Sequence, residues 1–464
     1  MSIEAQANIF VPGISDRVCR VLAAGFGATT LMWLWSYLAI LVQGLGLGDV
    51  LFGMAVLSLL GGGMVAGRSD ASLDSKRAPL AGVLRGLATG LVAAAINLLV
   101  LASLLRSELG GGAMWIIGTL AGCVIAGGLG GLFGALMPAW RTGGNWRSIF
   151  CWVATGLTFF MIITGGVVTG FEAGLAVPDW PNSYGHNMLL YPLSEMVADP
   201  SSGIFYEHAH RLTGMFVGFT ALVLCLVLWL GDDRFGVGVL GTAILLVVIL
   251  QGVLGGLRVT GVLTFSQDAA DLAPNTALAI SHGMLAQLVL AAMAATAAIT
   301  STRWRRGQVC IGEGNLSTDR SMVWILLICL IIQLGLGAAY RHISTEIGTR
   351  APGATHALLG HLAMAVVVIV LGVLVGLRGS SMVGRDVVFR WLGRGLLIML
   401  GLQILLGFAA VAVVLMRPEV GTTVDVPVLE VLVTSSHQAN GALLLAVTAL
   451  LCVWYQRAAP GEEQ

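Results

Sequence analysis

GIFYEHAHRLTGMFVGFTALVLCLVLWL, residues 203–230, sets a cluster of ionisable side chains at the mouth of a long apolar run. About twenty apolar residues cross a bilayer as a helix, and the run from Met215 to Leu230 has no charged residue at all. Glu207, His208, His210 and Arg211 cost free energy beside lipid, so they mark a functional site. Glu207 and His210 are three apart and share one helix face. One reading is a metal ligand with an acid beside it. The other is a satisfied polar pair at the membrane interface.

The rest of the chain has the same character. Of its 464 residues 57% are hydrophobic and 10% charged, where a soluble domain carries about 25% charge. The composition predicts an all-α polytopic membrane protein. Twelve apolar spans can be counted, at about 18–43, 49–67, 79–105, 113–138, 148–170, 204–230, 235–258, 275–301, 321–340, 354–377, 389–416 and 427–456. A formal net charge of +0 and the absence of a basic stripe argue against a nucleic-acid partner. The seven cysteines form no C-x-x-C pair, and neither a disulfide nor a zinc site is expected.

Basic residues alternate between connections. Arg68, Lys76 and Arg77 lie in one, and Arg303, Arg305, Arg306 and Arg320 in another, whereas residues 171–203 hold none. The positive-inside rule therefore places both termini in the cytoplasm and the long loop outside, in a multi-pass protein of the cell membrane. That loop carries Pro178, Pro181, Pro192 and Pro200 with Trp180, Tyr184 and Tyr191, and reads as a structured cap on the bilayer. Residues 1–145 are glycine-rich and free of histidine, a four-helix extension suited to close helix packing or to docking a partner.

All eight histidines follow residue 170, and the even-numbered helices of the later block each carry at least one. Ala209-His210, Ser281-His282, Thr355-His356 and Ser436-His437 each have a second small residue, Gly214, Ala286, Gly360 or Gly441, four positions after the histidine. That residue stacks on the same face one turn away and would leave room for a flat macrocycle. Gln251-x-x-x-Gly255-x-x-Arg258 resembles Gln333-x-x-x-Gly337-x-x-x-Arg341, and Gln403-x-x-x-Gly407 repeats its first part. The block thus reads as two parallel four-helix halves, 146–302 and 303–464. Four histidines on four helices suit bis-histidine haem. Arg211, Arg258 and Arg341 would either pair haem propionates or snorkel to the interface. Proton-relay histidines in a transporter are the competing reading.

TGGVVTGFEAGLAVPDWPNSYG (164–185), Glu207-His-Ala-His-Arg211 and QGVLGGLRVTG (251–261) resemble the haem A synthase family of cytochrome oxidase assembly proteins. The resemblance implies oxidation of the C8 methyl of haem O to a formyl group, giving haem A. It implies Glu207 as the catalytic carboxylate. It implies one histidine pair, from the second and sixth helices, for the substrate haem O, and another, His282 with His437, for a haem b cofactor. The first pair is His210 with His356 or His361; the repeat frame favours His356, and depth from the helix start favours His361. Arg258 and Arg341 would serve the haem carboxylates. Haem O synthase and terminal oxidase assembly factors are the implied partners, beside membrane lipid. Some family members carry a cysteine pair in the outer loop; here it is missing. A di-haem electron-transfer protein and a haem carrier share the histidine frame.

Overall fold

The computed structural model describes residues 15–41, 46–68, 78–102, 112–138, 145–199, 202–261, 276–307, 309–311, 315–346, 352–381, 384, 386–416 and 426–460. All twelve expected spans are helices long and apolar enough to cross a membrane. Helical backbone satisfies its own hydrogen bonds, which an apolar medium demands. The early block is α1 (Asp16–Leu41), α2 (Gly48–Gly67), α3 (Ala78–Val100) and α4 (Gly112–Leu136). The first half is α5 (Trp146–Gly170), α7 (Ile204–Gly231), α8 (Phe235–Thr260) and α9 (Thr276–Thr300). The second is α11 (Leu316–Glu346), α12 (Pro352–Ser381), α13 (Val387–Leu415) and α14 (Val428–Arg457). Short helices α6 (Leu193–Ala198) and α10 (Thr302–Arg305) lie in the connections. The expected boundary at 302/303 falls inside α10.

In the early block the helices meet backbone to backbone. A Cβ on Gly130 would lie 2.1 Å from the Leu60 carbonyl oxygen, and one on Gly86 2.2 Å from that of Gly127. This is what the glycine runs accomplish: no larger residue lets α2, α3 and α4 approach so closely. The block docks on the first half through α1. Phe26 lies 5.3 Å from Phe150 and 6.0 Å from Phe216, and Tyr37 stacks 5.4 Å from Phe205. The Asp16 carboxylate accepts from the Trp146 N–H at 3.2 Å, and the Arg20 guanidinium sits 4.8 Å over the Trp146 ring.

Each half is a ring of four helices. In the first, α5 packs on α7, α7 on α8, α8 on α9 and α9 on α5; in the second, α11, α12, α13 and α14 close the same way. The halves meet where α5 and α9 pack on α14, and α9 on α11. Thus α7 faces α9 across one ring, and α12 faces α14 across the other.

The arginine-rich ends are latched by ion pairs. Asp232 accepts from Arg234 at 2.8 and 2.9 Å and lies 3.5 Å from both Arg147 and Arg305. Arg303 pairs with Asp386 at 2.5 Å, and Arg378 with Asp319 at 2.6 Å. Beyond them β3 (Val309–Ile311) runs parallel to β4 (Ala458–Pro460), tying the linker between the halves to the final segment. The small β1 (Asn182–Ser183) and β2 (His186–Asn187) form a hairpin in the outer loop.

Two outcomes follow from these contacts. Gly130→Ala should destabilise the protein by about 1–3 kcal/mol through overpacking, whereas Gly122→Ala, with nothing within 4 Å of the new Cβ, should not; unfolding in detergent measures both. Desolvation pushes the Asp232 carboxyl up, but hydrogen bonds and charge from Arg234, aided by Arg305, hold it down to about 2. A depressed carboxyl contributes stability above its unfolded pKa and loses it as pH falls through the folded value. Asp232→Asn should therefore melt earlier than the parent at pH 7, with the difference closing between about pH 4 and pH 2.

Candidate haem site

Four of the histidines are set in one repeated contact: each ring lies against a glycine of the preceding helix. A Cβ on Gly165 would come within 2.9 Å of the His210 ring, on Gly255 within 3.3 Å of His282, on Gly337 within 2.9 Å of His361 and on Gly407 within 3.3 Å of His437. The glycines of TGGVVTG, QGVLGG and their second-half counterparts are thus cradles for imidazoles. The adjacent glycines hold other elements. Gly166 faces Ser435 and Gln438 of α14, and Gly256 lies under the Trp180 indole of the outer loop, 2.2 Å from Cδ2 to an added Cβ.

On the sixth helix it is His361 that takes the glycine-cradled position. His356 is exposed, whereas His361 meets Gln333 and Gly337. The repeat frame that favours His356 thus points to a residue outside the cradle contact. Gly360-His361-Leu-Ala-Met-Ala365 satisfies the small–His–x-x-x–small pattern as well as the upstream stretch does, and only packing separates the two registers. The small residue after the histidine also has another use. An added Cβ on Gly214 meets Met161 Cε at 3.2 Å, and one on Gly441 meets the Gln403 amide at 3.4 Å, so the space takes a neighbour's side chain.

The ring contacts in the structure fall within each half. His361 and His437 face across the second ring, their centroids 6.4 Å apart. His210 on α7 interacts electrostatically with His282 on α9 across the first. α7 and α12 line opposite rings and do not pack extensively on one another, which sets His210 apart from His361. His342, overlooked in the sequence because it follows the expected end of its span, lies on the longer α11, almost wholly buried and within electrostatic range of His282, Arg258 and Arg341. Its position directly after Arg341 in the repeated motif was the available signal.

Glu207 is buried, and both its oxygens are engaged. Oε1 accepts from Arg211 at 2.6 Å, and Oε2 from the Val177 N–H at 2.7 Å. Arg211 donates as well to the carbonyls of Val177, Asp179 and Asn182, at 2.7, 2.7 and 3.0 Å. The pair thus pins the outer loop over α7, a link across 30 residues of sequence. His208 is wholly buried beside Tyr191 and 3.2 Å from the Ser183 hydroxyl, a loop anchor and not a partner of the other imidazoles. Arg258 reaches the loop at Gly174 and lies within electrostatic range of Glu207, His210 and His282. Arg341 donates to the carbonyls of Thr169 and Gly170 at 2.6 and 3.3 Å, completing the end of α5 and linking the halves.

The donor set suits haem. Haem iron takes two axial side chains, and the 6.4 Å ring separation in the second half is near the roughly 6 Å expected when two imidazole nitrogens each lie about 2 Å from one metal ion. His282 Nδ1 is buried without a hydrogen-bond partner. No cluster of three or more metal-ligating side chains occurs among the described residues. Arg211→Ala should free the outer loop: breaking a buried pair costs about 3–5 kcal/mol, enough to speed chymotrypsin cleavage within residues 171–203 by at least about 100-fold where the opening equilibrium limits it.

Residues 148–347 match the family model of the cytochrome oxidase assembly protein. The resemblance read from the motifs holds over this stretch, which includes His210 and His282 and ends before His356, His361 and His437. The matched stretch is under half of the chain, and the family it matches is described as a cytochrome oxidase assembly protein. Neither the curated proteins nor the solved structures give a match.

Proposed function

With residues 148–347 carrying the cytochrome oxidase assembly pattern, we propose that this chain oxidises the C8 methyl of haem O to a formyl group, making haem A for terminal oxidases. The observation that carries the reading is the Glu207–His210 pair, on one face of α7 and beneath the pinned outer loop. The first half is the substrate side: His210 and His282 hold haem O, with Arg258 at its carboxylates. The second half is the cofactor side, where His361 and His437 hold haem b. Bound haem b supplies the redox chemistry. The chain binds, orients and shields. Glu207 holds or moves a proton at its carboxylate oxygens, with Arg211 and the Val177 N–H fixing its direction. The outer loop, held over Gly256 by Trp180, excludes water from the same region.

The reading places the chain in the cell membrane with both termini cytoplasmic, receiving haem O from a haem O synthase and yielding haem A to oxidase assembly factors. A second reading, a di-haem electron-transfer protein, draws on one observation: both oxygens of Glu207 are already engaged in holding the loop. The pigment extracted from protein co-expressed with a haem O synthase and an electron donor decides between them. Haem A is expected from the parent and haem O from Glu207→Ala. Unmodified haem O and haem b from both would favour electron transfer.

A further inference from the structure

Three of the four imidazoles share a second contact that the haem reading leaves unused. A glutamine four residues before the cradle glycine touches the histidine which that glycine accommodates. Gln333 Nε2 lies 3.3 Å from His361 Nε2, while His361 Nδ1 faces the Gln333 carbonyl oxygen at 3.1 Å. Gln403 Nε2 lies 3.3 and 3.2 Å from the two ring nitrogens of His437 and donates to its carbonyl at 3.1 Å. Gln403 Oε1 is held in turn by Asn440 at 2.6 Å. Gln251 Nε2 donates to the His282 carbonyl at 3.0 Å. Its Oε1 and the His282 Nδ1 are both buried without a hydrogen-bond partner. In the first repeat the position is Met161, and His210 Nδ1 meets the Thr164 hydroxyl instead, at 3.0 Å.

We infer that Gln251, Gln333 and Gln403 are positioning residues, which fix the ring orientation and the proton position of His282, His361 and His437 for haem. The inference rests on the reading of these histidines as haem ligands. A ligating imidazole binds metal through one nitrogen and keeps the other as an N–H bonded to an acceptor. The glutamine amide is an uncharged group with a donor and an acceptor, so it orients the ring without placing an ion in the bilayer; at His437 it does so through its N–H, its oxygen being held by Asn440. Gln251 Oε1 and His282 Nδ1, both unsatisfied in the structure, are an acceptor and a nitrogen able to carry the proton, on two residues already joined through the His282 carbonyl. His361 already has the arrangement through the Gln333 backbone carbonyl. His210 stands outside the scheme and is backed by a hydroxyl, in keeping with a ligand to a haem that must come and go.

The test uses the purified full chain titrated with haemin, comparing the parent with Gln333→Met and Gln403→Met. Methionine already occupies this position in the first repeat, so the fold tolerates it there. The parent should show a low-spin bis-imidazole electron paramagnetic resonance signal. Each variant should keep the parent's elution volume and helix content, bind haemin about 10-fold more weakly or worse, and show a shifted low-spin signal with a high-spin fraction. Gln333→Asn and Gln403→Asn, which withdraw the amide by one methylene, should give the same shift. Parent-like affinity and signal in the variants would overturn the inference, as would tighter binding, which would make the amides competitors of the iron. A parent without any low-spin haemin would overturn the haem reading itself, and the inference with it.

Discussion

An imidazole inside an apolar helix bundle needs room and a polar neighbour, and here both come from the preceding helix. The glycines at 165, 255, 337 and 407 provide the room. Their spacing sets how closely α5 approaches α7, α8 approaches α9, α11 approaches α12, and α13 approaches α14. Once those pairs are fixed, each half closes as a four-helix ring and its two imidazoles fall on one diagonal. The adjacent Gly166 and Gly256 use the neighbouring helix face to bring in α14 and the Trp180 indole. One short motif therefore sets the imidazole, the contact between halves and the outer cap.

The two ends of the molecule are held differently. At the loop end, Glu207 and Arg211 form a buried pair that exchanges hydrogen bonds with the loop backbone. Such a pair is justified by specificity of position more than by net stability, and it leaves a carboxylate of fixed direction three residues from His210. At the opposite end, Asp232, Asp319 and Asp386 lock arginines from several connections, and β3 with β4 closes the chain on itself. Among the described residues the early block adds no imidazole or carboxylate to the site. It presses α1 aromatics onto α5 and α7, the helices that carry Gly165 and His210.

The twelve spans were legible because length and apolarity are local properties that lipid enforces without reference to other helices. His210, His282 and His437 were legible from their recurring frame. His361 was not separable from His356, since two registers five residues apart satisfy the same pattern of small neighbours. Which helices share a ring was hidden for another reason: it is a tertiary fact, visible only in packing. Arg341 was expected at a haem carboxylate, yet it also completes the end of α5. His342 was passed over because α11 runs on to Glu346, beyond the apolar run that marks its span.

The central claim is that each half holds one haem between its own two histidines. Electron paramagnetic resonance of the haem-loaded full chain, in the parent and in four single histidine-to-alanine variants, tests it most directly. The account predicts that His361→Ala and His437→Ala abolish one and the same low-spin signal and leave the first half's pigment unchanged. If His361→Ala instead removes the haem lost in His210→Ala, while His437→Ala removes the haem lost in His282→Ala, the haems bridge the halves and the account is wrong.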